Sequence, residues 1–301
     1  MEFTIVCDKI TKEFKDNIAL SNIEFEIHKG DCVALLGQNG AGKTTLLNIM
    51  LHKMKPTSGK LINNYKRSET GYLTQLTKFP DDIKVKEIIK FVSKFSASPF
   101  NDKQLDDVLH FNDVKMNQIT SNLSGGQQRL LDFCLTILNN PKLLVVDEPT
   151  GGMDTSTRKH FWNIMSKLKQ QGTTIVFTSH YIEEVNYISD RVLLLNKGHL
   201  IANDTPFHLR ALNKRKTLTF DKDIYYKYLS DFNNIEITLS NVIKVINNGD
   251  TILWNFDDSK TKIVLNEIEQ HEIDLSSIEL SNASLLDTVF NDKLANKKGE
   301  K

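Results

Sequence analysis

The chain has 301 residues, 40% of them hydrophobic and 25% charged, which suits one large or two ordinary soluble domains with a sizeable buried core. Its 38 basic and 38 acidic residues cancel, so no bulk charge draws the chain to nucleic acid or to an anionic lipid surface. Its apolar runs are shorter than the roughly 20 residues that span a bilayer, and its start lacks a basic region followed by an apolar signal core.

The first predicted elements are two strands, at residues 3–6 and 23–27, with a turn at Asn17. Phe14 lies between the strands in a charged stretch, 11–16, that is typical of an exposed loop. An aromatic ring in such a loop either stacks on a base or packs against the edge of the domain. The sequence leaves both roles open for Phe14.

A glycine-rich stretch with the pattern G-x-x-x-x-G-K-[ST] follows an apolar run and precedes a helix-like one. Glycines let successive backbone N–H groups point at phosphate oxygens, and the helix that follows adds the positive end of its dipole. The lysine of the pattern reaches the β and γ phosphates, and the next hydroxyl holds Mg²⁺. A glycine turn with an accidental lysine is the alternative. We predict a nucleoside triphosphate site formed by Gly37, Gln38, Asn39, Gly40, Ala41, Gly42, Lys43, Thr44 and Thr45.

A helical insert is predicted after a strand at 71–75, because apolar residues recur at helical spacing over 85–95 and 105–109. The insert covers about residues 83–122. A second anion-binding helix start follows it, where a serine and paired glycines precede a helix at 128–138. This pattern has no lysine. Taken alone, a serine followed by two glycines is equally typical of an ordinary turn. Its residues are Ser124, Gly125, Gly126 and Gln127, directly after Leu123.

A buried parallel strand is predicted at 143–146, and two carboxylates, Asp147 and Glu148, follow it directly. In open α/β sheets, ligands bind beyond the carboxyl ends of the strands. Asp147 is therefore predicted to face Mg²⁺, and Glu148 to face the water that attacks the γ-phosphate. A pair of helix-capping carboxylates is the alternative interpretation.

Asp154 is predicted to cap a helix that closes at Gly172. The buried strand predicted at 173–178 then ends beside His180. A histidine at this edge of the sheet either contacts the γ-phosphate or has a structural role.

The pattern changes near Pro206, after a predicted helix at 181–189 and a hairpin of 191–196 with 199–202. We predict a small α+β accessory domain over 206–290 and a polar, lysine-rich tail over 291–301. The accessory domain holds no phosphate loop, metal spacing or nucleophile pair, which indicates a regulatory or contact-making role. Its predicted strands are 235–239, 242–246, 251–256 and 274–280, and its predicted helix is 260–269.

The cysteines, Cys7, Cys32 and Cys134, are odd in number, share no CxxC spacing and lie in apolar surroundings. They are predicted to be buried thiols in a reducing cytosol.

Taken in chain order, these motifs resemble the ATPase subunit of an ABC transporter over residues 1 to about 205. The resemblance implies an α/β P-loop NTPase (ABC ATPase) fold with a helical insert, and ATP and Mg²⁺ as ligands. It gives each motif a family name. These are the base-stacking aromatic at Phe14, Walker A at 37–45, the Q-loop at Gln75, the signature at 123–127, Walker B at 146–148, the D-loop at 151–154 and the switch histidine at His180.

Further stretches are similar to the drug, bacteriocin and lipid exporters whose ATPase and membrane subunits are separate chains. These stretches are 181–185, 189–192, 196–200 and, more loosely, 284–290. The chain also departs from the family pattern. Met153 replaces the usual D-loop leucine, and Leu130 and Leu135 stand where arginines often follow the signature.

The resemblance implies a head-to-tail dimer with a second ATPase subunit, a homodimer in the simplest case, in which each nucleotide lies between one Walker A loop and the opposite signature. Mg²⁺ would be held by Thr44, Gln75 and Asp147, with Glu148 orienting or deprotonating water. His180 would support the γ-phosphate, and Ser124 and Gly126 would serve the opposite site. A separate membrane permease would be the partner that moves, so the chain is expected to be cytoplasmic and peripheral on the inner face of the cell membrane.

Two other classes compete with transport. A soluble ABC ATPase acting on ribosomes or DNA would carry two cassettes, long coiled coils or excess positive charge, whereas this chain has one cassette and no sustained heptads. No nucleic acid partner is therefore expected. A P-loop kinase or GTPase would leave the signature and Glu148 unexplained.

Overall fold

The computed structural model describes residues 3–15, 17–96, 100–179, 182–212, 215–271, 273 and 278–282. The chain divides into two compact units, Met1–Pro206 and Phe207–Lys301. The helix α8 (Pro206–Leu212) lies at the division. None of the described helices combines the length and apolar character needed to cross a bilayer.

The first unit contains two sheets. Its strands are β1 (Phe3–Phe14), β2 (Asn17–His28), β3 (Cys32–Leu36), β4 (Ser58–Asn63), β5 (Thr70–Leu73), β6 (Leu143–Val146), β7 (Thr174–Thr178), β8 (Arg191–Asn196) and β9 (His199–Asp204). An antiparallel sheet has the order β2-β1-β4, and a six-stranded sheet has the order β5-β6-β7-β3-β8-β9. The larger sheet is parallel except for the β8–β9 hairpin. The predicted parallel α/β architecture is confirmed.

The helices of the first unit are α1 (Lys43–Met50), α2 (Val85–Ser93), α3 (Asp102–Leu109), α4 (Asp113–Met116), α5 (Gly125–Ile137), α6 (Thr155–Gln170) and α7 (Ile182–Ile188). Three of them, α2 to α4, lie within the stretch predicted as a helical insert. Both α2 and α3 pack against α5, and the backbone oxygen of Val108 in α3 lies 2.9 Å from Nε2 of His160 in α6, so helices of the insert contact both α5 and α6.

Helices cover both faces of the parallel sheet, which explains why its central strands are apolar throughout. Every residue of β3 and β6 is buried. One core cluster joins apolar side chains of β1, β2, α1 and β3. On the other face, aromatic rings of α5, α6 and β7 contact one another. Parallel strands need such two-sided burial, because a crossover helix lies on each face.

The predicted loop at 11–16 is wrong for its first four residues, because β1 extends to Phe14. Asn17, predicted as a turn, is the first residue of β2. Lys12 pairs with Leu20 and Phe14 pairs with Asn17 across the hairpin. The charged sequence does not predict a strand, because side chains at this end of the sheet face solvent. Backbone pairing with β2 nevertheless supplies the hydrogen bonds of the strand.

The second unit contains an antiparallel sheet with the order β11-β12-β10-β13, covered by helices. Its elements are β10 (Arg215–Asp221), α9 (Lys222–Lys227), α10 (Leu229–Thr238), β11 (Lys244–Asn248), β12 (Thr251–Asp257), α11 (Thr261–Gln270) and β13 (Ile278–Asn282). With α9 and α10 between the first two strands, this is the β-α-β-β-α-β order of a ferredoxin-like unit. The predicted tail at 291–301 and the family-like stretch at 284–290 lie outside the described residues.

The strand predicted at 235–239 is wrong, because these residues belong to α10 or follow it directly. Their alternation of apolar and polar residues has a strand period, but the buried residues do not follow it. Phe232, Ile235 and Leu239 are buried, whereas Ile237 is 73% exposed. Spacings of three and four residues place the buried side chains on one helical face, so packing favours the helix.

The three cysteines are buried and free, as predicted. Burial raises the pKa of Cys7 and of Cys134 to about 12, so these thiols remain protonated at neutral pH.

Candidate nucleotide site

The predicted phosphate loop connects β3 to α1, and Gly42 caps the helix that follows it. Gly42 has φ +101°, in the left-handed region that favours glycine. A Cβ atom there would also lie 2.6 Å from the backbone oxygen of Ala19. Both the backbone conformation and the close approach therefore require glycine at the end of the loop.

Lys43 is the first residue of α1, and only 6% of it is exposed. Its Nζ atom donates to the backbone oxygens of Gly37, at 2.7 Å, and Gln38, at 3.2 Å. Burial lowers the pKa of Lys43, and the nearby Glu148 and Asp147 carboxylates oppose that shift. A cation is thus held over the loop where the motif requires one.

A cavity of about 780 Å³ opens beside this loop. Phe14, which is 44% exposed, lines it together with Gln75 and Glu148. The remaining lining residues are Asn17, Ile18, Ala19, Asn39, Gly40, Ala41, Gly42, Lys43, Thr44, Thr45 and Lys197. A cavity of about 840 Å³ also lies against β1, β2 and β4, but its lining contains no part of the phosphate loop. We therefore assign the candidate nucleotide site to the 780 Å³ cavity, because the phosphate loop, Gln75 and Glu148 line it.

Asp147 follows β6 at the carboxyl end of the parallel sheet and is only 2% exposed. The Thr44 hydroxyl lies 3.2 Å from its Oδ2 atom, and the Thr178 hydroxyl donates to its Oδ1 atom at 2.7 Å. Hydroxyl and carboxylate oxygens are suitable Mg²⁺ ligands, and Mg²⁺ in phosphate sites takes few protein ligands besides water and phosphate. Thr44 and Asp147 therefore fit a magnesium site. The described part of the chain contains no group of three or more His, Cys, Asp or Glu side chains arranged to hold a metal ion.

Glu148 is the next residue, and its backbone has φ +46°. This left-handed conformation is uncommon for a residue other than glycine and occurs often at functional sites. The Glu148 N–H donates to the Thr178 hydroxyl at 2.7 Å, and its Oε2 atom accepts from Nε2 of Gln75 at 2.9 Å. The structure thus brings Gln75, Asp147 and Glu148 together beside the loop.

Thr178 contacts both carboxylate residues, although it belongs to none of the predicted motifs. The available signal was a polar residue ending an apolar strand at the edge where Asp147 lies. We expect Thr178→Val to lower the free energy of unfolding by about 1–3 kcal/mol, because a buried N–H and a carboxylate oxygen lose their partner. Urea denaturation measures this change.

Thr178→Ser is the matched control, because it keeps the hydroxyl and should retain most of the stability. Equal stability of the valine and wild-type proteins would contradict the role assigned to this hydroxyl.

The predicted second anion site has the geometry of a capped helix start. Ser124 Oγ accepts from the backbone N–H of Gln127 at 3.3 Å, and Gln127 Oε1 accepts from the Ser124 N–H at 3.1 Å. This cap starts α5 at Gly125, three residues earlier than predicted. Although Ser124 and Gly125 to Gln127 all lie in the described part of the chain, none of them lines the loop cavity.

The D-loop residue Asp154 caps α6, as predicted, by accepting from the Thr157 N–H at 2.9 Å. Two residues that depart from the family pattern, Met153 and Leu130, are buried. His180 lies outside the described residues, so its predicted contact with the γ-phosphate stays a prediction.

A family profile described as ABC transporter matches residues 20–151. The chain is also 32% identical over 206 residues to an uncharacterized ABC transporter ATP-binding protein of Methanocaldococcus jannaschii, covering 67% of this chain and 77% of that protein. The chain belongs to the ABC transporter ATP-binding proteins. As a member of this family of ATPases, it binds and hydrolyses ATP. The predicted family and activity are confirmed.

A second relative of this ABC ATPase is the Nod factor export ATP-binding protein I of Rhizobium etli. It is 31% identical over 215 residues, which cover 66% of this chain and 67% of that protein. A solved dimeric structure of the ATP-binding cassette MJ0796, bound to ADP and Pi, has the same fold. It has a TM-score of 0.60 at 24% identity and covers 67% of this chain and 98% of that one. The predicted fold class is confirmed.

Proposed function

We propose that this ABC ATPase is the motor subunit of an exporter, acting as a head-to-tail dimer on a membrane permease made by a separate chain. The observation that carries the proposal is the position of the signature. Ser124 caps the start of α5, yet it does not line the cavity that contains Lys43 and Glu148. A second copy would complete each site. The Rhizobium etli relative is a Nod factor export protein, which supports export as the direction of transport.

Within one copy, the loop and Lys43 would bind the phosphates of ATP. Mg²⁺ would be held by Thr44 and Asp147 and would offset negative charge on the phosphate oxygens. Gln75 would hold the metal through its amide oxygen, because its amide nitrogen donates to Glu148.

Glu148 would orient or deprotonate the attacking water, since its carboxylate lies at the cavity and a Gln75 hydrogen bond orients it. His180 would support the γ-phosphate. From the opposite copy, Ser124 and Gly126 would add hydrogen-bond donors. ATP would favour the closed dimer because it binds that state better, and hydrolysis would release it.

Transport is tested by recovering the partner. The tagged full-length chain, purified from detergent-extracted membranes, should bring down a multi-helix membrane protein, which would place the ATPase on the inner face of the membrane through that protein. Recovery of ribosomes or DNA instead would contradict transport and support the soluble alternative.

Phe14 is proposed to stack on the adenine base at the rim of the cavity. Base–aromatic stacking contributes about 1–3 kcal/mol, and because Phe14 is half-exposed we expect Phe14→Ala to weaken ATP binding by about fivefold to tenfold. Affinity for inorganic triphosphate, which has no base, should not change. Titration calorimetry measures both ligands.

The matched control is Phe3→Ala, since Phe3 is 43% exposed at the other end of the same strand. Equal losses of ATP and triphosphate binding in the Phe14 variant would contradict base stacking.

A further inference from the structure

The signature helix α5 carries a buried arginine, Arg129, that no predicted motif uses. Only 4% of this residue is exposed. A buried guanidinium is costly unless its N–H groups find acceptors, so the partners of Arg129 indicate what it holds in place.

The first partners of Arg129 lie in the turn that carries the catalytic carboxylate. Its Nε atom donates to the backbone oxygen of Pro149 at 2.9 Å. Its Nη2 atom donates to the backbone oxygen of Asp147 at 2.9 Å and lies 3.4 Å from that of Glu148. One side chain of the signature helix therefore contacts three consecutive carbonyl groups around Glu148.

The second partners lie beside the Q-loop glutamine. The Nη1 atom of Arg129 donates to the backbone oxygen of Thr74, the residue before Gln75, and to the Thr77 hydroxyl at 3.2 Å. The same hydroxyl donates to Asp132 at 2.8 Å, and the Asp132 carboxylate lies 3.9 Å from Nη1. Arg129 thus joins α5 to both segments that supply Gln75 and Glu148.

We propose that Arg129 is a positioning residue that fixes the start of α5 relative to the turn holding Glu148. Thr178 holds the N–H of Glu148, and Arg129 holds the carbonyl side of the same turn, where φ is +46°. This inference rests on the proposed head-to-tail dimer. In that dimer Ser124 serves the opposite nucleotide, so Arg129 connects the chemistry of one site to the donors of the other.

The fork of the guanidinium is essential to this role. Its planar N–H groups reach the Walker B turn and the Q-loop at once, whereas a lysine ammonium is a compact charge that cannot span both. Arg129→Lys therefore keeps the positive charge but removes the planar set of N–H donors that reaches both segments.

The experiment compares Arg129→Lys with the wild type, in the native chain and in a Glu148→Gln background that should accumulate an ATP-bound dimer. In that background, the ATP concentration for half-maximal dimerisation should rise about tenfold, measured by light scattering. Binding of ATP to the dilute monomer should stay within about twofold. In the native chain, kcat should fall about tenfold, and the KM for ATP should rise in parallel with the ATP concentration for dimerisation. Arg67→Lys, at an exposed position, is the matched control and should change none of these.

The possible outcomes distinguish failure of this inference from failure of the proposed function. A dimer that forms equally well with Arg129 or lysine contradicts the inference alone, whereas absence of any dimer in Glu148→Gln itself contradicts the proposed function as well. If circular dichroism shows that Arg129→Lys does not fold, Asp132→Asn replaces it, because it removes the charge facing the guanidinium. For that variant we expect the ATP concentration for half-maximal dimerisation to rise about threefold. An unchanged concentration would overturn the proposal.

Discussion

Glu148→Gln should lower kcat for ATP hydrolysis by about 100- to 10,000-fold while leaving ATP binding intact, because general-base catalysis contributes rate enhancements of that size. Glutamine keeps the size of the side chain and an oxygen that accepts from Gln75, but it cannot take a proton from water. The phosphate loop and Lys43 are unchanged, so binding persists.

Blocked hydrolysis should also trap the ATP-bound dimer. Steady-state phosphate release, equilibrium ATP binding and light scattering measure the three expectations on one protein. Glu24→Gln, an exposed change in β2, is the matched control. Undiminished hydrolysis in the Glu148 variant would remove Glu148 from the role of base.

Lys43→Ala should weaken ATP binding by about 100-fold or more. Hydrogen bonds to charged groups contribute about 1.5–3 kcal/mol each, and Lys43 would make more than one to the phosphates. The buried ammonium is also the donor to the backbone oxygens of Gly37 and Gln38, so its removal loosens the loop itself.

Titration calorimetry with ATP and with ADP measures this loss, and thermal unfolding shows whether the loop change destabilises the whole chain. Lys60→Ala, on the exposed face of β4, is the matched control. An ATP affinity equal to that of the wild type would contradict the assignment of the phosphate site. Together, the two variants separate nucleotide binding from the chemical step.

The motifs that could be read from the sequence are those that depend on neighbouring residues. A phosphate loop needs glycines, a lysine and a hydroxyl in one short stretch, and β6 needs an apolar run with two carboxylates after it. Local backbone geometry dictates these patterns, so the loop, Asp147 and Glu148 were predicted as site residues. The extent of β1 and the helix at 235–239 were not predicted. Pairing with β2 extends β1 to Phe14, and burial on the helical face that includes Phe232 favours the helix over a strand.

The hydrogen-bond partners of Thr178 and Arg129 could not be predicted from the sequence for the same physical reason. The acceptors of Arg129 lie up to 55 residues away along the chain, and Thr178 lies 31 residues from Asp147. A single threonine or arginine carries no local signal of such partners. By itself, the sequence determined the family, the parallel sheet and the phosphate-binding chemistry, because each depends on contiguous residues. Only the tertiary structure decided which side chains hold Glu148 in place and that the signature lies outside the cavity, because both depend on how distant segments pack.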